Sequence, residues 1–322
     1  MSQELSENLE QVAADVVELK ARVHRRIVGQ DAVVDGLITC LVAGGHGLFV
    51  GVPGLAKTLL VSTVAEATGL DFSRVQFTPD LMPSDILGSE VLEEHEGRRS
   101  FRFIKGPIFA QLVLADEINR TPPKTQAALL QAMQERSVSV AGTNHNLGRP
   151  FHVFATQNPI EQEGTYPLPE AQLDRFLMQL EVGYPSAEEE VRIAALTQAD
   201  LEVPIAPVWS AERLDQIQTL VGQIAVDQSL VETAVNLVRQ SRPGPDAPEL
   251  VRDYLRWGAG PRASQFLVHS ARARALMSGR PAADLSDLKA LAPAVLGHRL
   301  IPNFRAESEG LTGAALAQRL IA

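Results

Sequence analysis

The stretch Leu48-Phe49-Val50-Gly51-Val52-Pro53-Gly54-Leu55-Ala56-Lys57-Thr58 runs from a short apolar strand through a glycine-bearing loop into a helix. In that order it reads as a phosphate-binding loop. Backbone N–H groups of the loop and of the first helical turn converge on an anion, and Lys57 adds a compact positive charge. The Thr58 hydroxyl is placed to ligate Mg²⁺ beside the β- and γ-phosphates. The residue before the lysine, usually glycine in such loops, is Ala56, whose methyl narrows the accessible φ range. The plain alternative is a glycine turn before an ordinary helix with a surface lysine.

A second apolar run, Gln111-Leu112-Val113-Leu114-Ala115, ends in Asp116-Glu117. Two adjacent carboxylates closing a buried strand are costly to desolvate, and a cation-nucleotide site beside them offsets that cost. Asp116 reads as the Mg²⁺-shell residue and Glu117 as the group that polarises an attacking water; taken alone, the pair could cap a helix. A third run, His152-Thr156, leads into Gln157-Asn158-Pro159. Asn158 would sit between the other strand ends and orient the water, although Asn-Pro also marks an ordinary turn. Arg175, in Leu173-Asp174-Arg175-Phe176, ends the last helix of this half. Arg262, in Gly260-Pro261-Arg262, opens a later helix with proline in its first turn. An arginine brought to a γ-phosphate accelerates hydrolysis by orders of magnitude, whereas solvated surface arginines are the plain alternative.

Around these motifs, short strands (Leu48-Val50, Arg74-Phe77, Gln111-Ala115, His152-Thr156) alternate with helical stretches (Gln30-Ala43, Thr58-Gly69, Lys124-Glu135). Such alternation predicts βαβ units around a mostly parallel sheet. Two polar segments, Ser89-Lys105 and Arg136-Arg149, each hold a turn cluster between strand-like flanks and read as inserted hairpins. After Gly183-Tyr184-Pro185 the periodicity becomes helical, opened by the capping-box pattern Ser186…Glu189. The expected organisation is an α/β core over 1–185 and an all-helical domain over 186–322.

At 322 residues the chain suits about two domains, and 45% hydrophobic with 21% charged residues is an ordinary globular balance that excludes disorder. With 29 basic and 39 acidic side chains the net charge is −10, which argues against a surface that neutralises nucleic-acid phosphates. The single cysteine, Cys40, leaves no internal disulfide and suits a reducing cytosol. Leu37–Ala56 runs 20 residues without Asp, Glu, Lys or Arg, the length of a membrane span, but its glycines and Pro53 break a single helix. The Glu-rich opening, Met1 to Lys20, does not read as a secretory leader. Seven histidines are scattered without zinc-ligand spacing.

Taken together, Val28-Gly29-Gln30, the Gly51–Thr58 loop, Asp116-Glu117, Asn158, Arg175 and Arg262 resemble, in order, an AAA+ ATPase. More narrowly the chain resembles the MoxR family. That family also favours alanine before the lysine, and further phrases carry the likeness: Ala115-Asp116-Glu117-Ile118-Asn119-Arg120, Ala155-Thr156-Gln157-Asn158-Pro159 and Tyr166-Pro167-Leu168-Pro169-Glu170-Ala171-Gln172-Leu173-Asp174-Arg175-Phe176. The likeness spans roughly residues 20 to 315, including Asn303-Phe304-Arg305-Ala306-Glu307-Ser308-Glu309-Gly310. It departs slightly at Ala259-Gly260-Pro261-Arg262, where the family often has serine for the glycine.

The resemblance implies a P-loop AAA+ α/β core with a parallel sheet and hairpin inserts, followed by a small all-helical lid. It implies Val28 and Gly29 at the adenine, and Gly51, Val52, Pro53, Gly54, Leu55, Ala56, Lys57, Thr58, Leu59 and Asp116 around the phosphates. Thr58 and Asp116 would hold Mg²⁺. Glu117, Asn158 as first sensor, Arg175 as an arginine finger reaching a neighbour's nucleotide, and Arg262 as a second sensor acting in cis would be catalytic. It also implies ATP hydrolysis to ADP and phosphate by a homo-oligomeric, usually hexameric, cytoplasmic ring. The output would be chaperone-like maturation or assembly of protein complexes, including metal or cofactor insertion, with a von Willebrand factor A-domain partner. The alternative is a nucleic-acid or chelatase-type motor of the same clade, since those relatives share the two hairpin inserts.

Overall fold

The apolar runs pair into one parallel sheet in the computed structural model, which describes residues 3–95, 98–160 and 164–321. Helices α1 (Gln3–Val23) and α2 (Asp31–Val42) precede β1 (Gly47–Val50), and α3 (Lys57–Thr68) returns the chain to β2 (Phe72–Gln76). After α4 (Pro83–Leu87) comes a hairpin of β3 (Gly88–His95) and β4 (Arg98–Lys105), then β5 (Leu112–Asp116) and α5 (Pro123–Glu135). A second hairpin, β6 (Ser137–Val140) with β7 (Thr143–Asn146), leads to β8 (His152–Gln157), α6 (Glu170–Leu173) and β9 (Met178–Glu181). Both inserts are therefore hairpins, as expected; Glu96 and Gly97, read as part of the first turn cluster, lie outside the described residues.

The sheet order is β2-β5-β8-β1-β9, all parallel. Interior strand β5 is buried along its whole length, which is why it reads as a continuous apolar run rather than an alternating one. Register decides the site. Gln76 pairs with Asp116, Ala115 with Ala155, and Val50 with Gln157, so the carboxyl ends of four strands align along one edge. Open parallel sheets bind ligands in the crevice outside such ends. Gly51 stands where β1 passes the chain after β9: a Cβ there would lie 2.5 Å from the Val182 carbonyl oxygen, so only glycine fits.

The second half contains α7 (Ala187–Ala195), α8 (Gln198–Glu202), α9 (Ala211–Val221), α10 (Gln228–Gln240), α11 (Glu249–Tyr254), α12 (Pro261–Met277), α13 (Leu285–Leu296), α14 (Phe304–Ser308) and α15 (Gly313–Ile321). The predicted capping box opens α7: Ser186 Oγ accepts from the Glu189 N–H, and Glu189 accepts from the Ser186 N–H. This half is helical apart from a short antiparallel pair, β10 (Leu255–Trp257) with β11 (Ile301–Pro302). That pair joins residues far apart in sequence, so no local periodicity announced it.

Two apolar clusters sandwich the sheet. One packs Val113, Ala115, Val153 and Phe176 against α5. The other runs without a break from α1, α2 and α3 across Leu177, Met178 and Leu180 to Leu291 and Val295 of α13. Burial of that continuous surface, worth on the order of 25 cal/mol per Å², ties the helical half to the edge strand β9. Helix α1, first in sequence, rests on both α3 and α12. Among the described residues no helix is long and apolar enough to cross a membrane.

Candidate functional site

The loop from Gly51 to Lys57 bends over the carboxyl end of β1. Two residues in it take the left-handed conformation, Gly54 at φ 84° and Ala56 at φ 56°. For glycine this is free, but for alanine it crowds Cβ against the following carbonyl oxygen. The loop therefore stores strain at the position where the sequence departs from glycine. Lys57 Nζ donates to the carbonyl oxygens of Gly51 and Val52, both at 2.7 Å. Burial pushes the Lys57 ammonium below the ordinary lysine value, opposed by the charges of Asp116 and Glu117. Lysine and dyad thus face one space: a cavity of about 480 Å³ lined by Pro53–Leu59, Arg74, Asp116, Glu117, Thr156, Gln157 and Asn158.

Asp116 is buried and held from three sides. Thr156 Oγ1 donates to its Oδ1 at 2.7 Å, while Arg74 donates to Oδ2 through Nη2 at 2.7 Å and Nε at 3.1 Å. Thr58 Oγ1 stands 3.4 Å from the same Oδ2. A hydroxyl and a carboxylate oxygen side by side are the hard oxygen donors Mg²⁺ takes alongside substrate phosphates, so the residues present fit that ion. Thr156 performs two tasks, since its hydroxyl also accepts the Glu117 N–H at 2.8 Å. Glu117 lies at φ 56°, another left-handed non-glycine residue, and its Oε2 accepts from Gln76 Nε2 at 2.8 Å and pairs with Arg120 Nη1 at 3.2 Å. Strain of this kind at two residues of one site requires support from their surroundings. Asn158 is buried, and its Oδ1 accepts the Ile160 N–H at 3.1 Å.

A second cavity of about 400 Å³ adjoins the first and shares Pro53, Gly54, Leu55, Ala56 and Leu59 with it. Its other walls are mostly apolar: Ile27, Val28, Tyr184, Ile193, Leu196 and Leu201. Its mostly apolar lining suits a purine base next to a phosphate cradle. Val28, the residue expected at an adenine, is part of its wall. Gly29 does not line it directly; it lies at φ 67° against the Glu189 carboxylate that caps α7. Gly51 and Val52 likewise contribute carbonyls to Lys57 rather than wall to the cavity.

The two arginines lie elsewhere. Arg175 and Arg262 line a separate cavity of about 340 Å³ with His46, Arg136 and Phe266, and it has no lining residue in common with the Lys57 cavity. In the chain by itself Arg262 therefore lines this cavity and not the Lys57 cavity. Its helix, α12, is fixed by packing on α10, α13 and α2, so that its first turn faces Asp174, whose Oδ2 is 3.3 Å from Arg262 Nη1.

Sequence reading missed Arg74, Gln76 and Thr156 as site residues, as well as the cover over the base cavity from α7 and α8. Arg74 and Gln76 alternate along β2 beside β5, and their bearing on the dyad emerges only from strand order. Thr156 alone had a local signal, being the last residue of the run before Gln157-Asn158.

Comparison with known proteins agrees with this geometry. Residues 46–178 match the model for the ATPase family associated with various cellular activities (AAA), and 247–320 match an AAA lid domain. The chain is 42% identical to Chaperone MoxR1 of Mycobacterium tuberculosis, over 97% of this chain and 83% of that protein. It is 32% identical to Protein MoxR of Methylorubrum extorquens, over 86% and 85% respectively. A crystal structure of a candidate ATPase from Cytophaga hutchinsonii superposes with a TM-score of 0.89 at 38% identity, covering 98% of this chain and 96% of that one. With the phosphate loop, the carboxylate pair and the helical lid on one scaffold, the chain belongs to the MoxR family of AAA+ ATPases.

Proposed function

We propose that this ATP hydrolase works as a ring of identical subunits, a hexamer by family resemblance, in which each nucleotide is cradled by one subunit and met by arginines of the next. One observation supports the reading: Lys57, Thr58, Asp116 and Glu117 line one cavity and Arg175 and Arg262 another, with no lining residue in common. The loop amides and Lys57 would hold the β- and γ-phosphates, with the base against Val28. Thr58 and Asp116 would hold Mg²⁺, which when bound neutralises phosphate charge. Glu117 takes a proton from the attacking water, and Asn158 orients that water. Arg175 and Arg262 of the adjacent subunit stabilise the charge that develops on the transferring phosphoryl group.

The output of such a motor, by resemblance to the chaperone-named relatives, is remodelling of protein clients during maturation or assembly of complexes, metal or cofactor insertion among them. A cytoplasmic setting and a partner with a von Willebrand factor A domain belong to the same reading.

The test uses mixed subunits. Arg175→Ala subunits and Glu117→Gln subunits should each be nearly inactive alone. Mixed, they should regain hydrolysis, because an Arg175→Ala subunit keeps its own cradle and borrows a sound arginine. Absence of recovery in co-assembled mixtures would show that the arginine does not act between subunits.

A further inference from the structure

We infer that Arg299 and Asp174 form a latch between the helical half and the sheet that positions Arg175 and Arg262 as one unit. The inference rests on the reading above that these arginines serve a neighbouring subunit. Arg299 follows α13, and its side chain is 2% exposed. Its Nε donates to Asp174 Oδ1 at 2.8 Å, and its Nη2 donates to the carbonyl oxygens of Asp174 at 3.0 Å and Phe176 at 2.7 Å. Nη1 reaches the Leu177 carbonyl at 3.4 Å and also bonds the Val295 carbonyl of its own helix.

The carbonyls of 174 and 176 flank Arg175. A planar guanidinium with donors in a fixed fork therefore holds the backbone on both sides of that residue at once. The Asp174 carboxylate is shared: Oδ1 takes Arg299 and Oδ2 pairs with Arg262 at 3.3 Å. Phe266, one turn beyond Arg262 on α12, lies with its ring centroid 5.1 Å from the Arg299 guanidinium and lines the arginine cavity. Thus one buried cation just after α13 holds the backbone around Arg175, which belongs to the sheet half, and through Asp174 steadies Arg262, which belongs to the helical half.

An apolar side chain would fill this space without the cost of burying a guanidinium. That cost is visible in Arg299 itself, whose pKa burial brings down to about 10 despite the Asp174 charge. Neither Arg299 nor Asp174 lines the Lys57 cavity or the base cavity. They are positioning residues, and their effect should fall on the subunit next door.

Arg299→Lys keeps the charge but replaces the fork with a single ammonium. Full-length Arg299→Lys should lose about 10-fold or more in kcat, as expected for a displacement near 1 Å of a reacting group, while its nucleotide Kd stays within about twofold. Mixed with Glu117→Gln subunits it should regain hydrolysis. An unchanged kcat, or a nucleotide affinity that falls in step with kcat, overturns the latch. So does a lack of recovery when the Arg175→Ala and Glu117→Gln mixture recovers; there the inter-subunit reading stands and the latch alone is wrong. If neither mixture recovers, both fall together. Asp174→Asn, which removes the shared charge but keeps the backbone carbonyls, runs through the same assays, so the outcome does not depend on one variant folding.

Discussion

The Lys57 cavity and the arginine cavity are made of opposite chemistry. In the first, Lys57 and Arg74 face Asp116 and Glu117, so cations and anions balance, and the loop's backbone supplies the cradle. In the second, Arg136, Arg175 and Arg262 line the walls, and Asp174 pairs with Arg262. Their linings are separate within one chain. On the proposed reading the first holds the phosphates and the second supplies arginines to the transition state. A second copy then brings those arginines to the phosphates, and hydrolysis is coupled to assembly on that same reading.

That contrast breaks most directly by substituting one residue on each side. Lys57→Ala should abolish measurable nucleotide binding. Arg175→Ala should leave binding intact and lower kcat about 10³-fold, the scale of an arginine finger. Titration of a fluorescent nucleotide separates the two, and equal loss of affinity in both would erase the division between cavities.

A smaller effect concerns two buried histidines, His46 of the arginine cavity and His152, whose charge bears on it. His46 is held near pKa 3 by burial, with His152 and Arg136 adding to the depression, and His152 is held near 4 by burial. Both are neutral in the folded chain but would protonate near 6.5 once unfolded. Stability is therefore fully present above pH 6.5 and is lost as pH falls from there toward 4 and 3. Between pH 8 and pH 6 the loss should be roughly 1.5–2 kcal/mol for the two together. Urea midpoints across that interval check it, and a flat profile would mean these rings are not buried and neutral.

The smallest effect sharpens the account of the cradle. Ala56 sits at φ 56°, which for alanine costs roughly 1–2 kcal/mol. Glycine removes that strain but adds roughly 0.5–1 kcal/mol of unfolded-chain entropy. Ala56→Gly should therefore stabilise the protein by about 0.5–1 kcal/mol in denaturant unfolding. A lower midpoint would show that the loop does not strain its alanine.

Much of the core was legible because its signals are local. The strand-loop-helix at 48–58 carries its own geometry, Asp116-Glu117 ends a run whose burial is written in its apolar residues, and the capping box at Ser186 forms within four residues. Arg299 was invisible by the same logic. It lies 125 residues from the Asp174 it binds, and nothing in the Gly297-His298-Arg299 context marks it as more than a surface arginine. Arg262 was recognised as an arginine of interest, but that it shares a cavity with Arg175 was not legible in the sequence. Its position depends on how α12 packs on α2, α10 and α13, a matter of shape among many side chains.

The amino-acid order by itself determined that this chain builds a phosphate loop, a carboxylate pair beyond a buried strand, and a helical second half. Those features follow from propensity, periodicity and the conformations that glycine and proline permit over a few neighbouring residues. Only the tertiary structure decided which groups share a cavity: that Arg74 and Thr156 hold Asp116, and that Arg175 and Arg262 gather around Asp174 away from Lys57. The reason is that strand order, register and helix packing are set by burial of one continuous apolar surface. Burial of that kind is non-directional and leaves no mark at any single position in the chain.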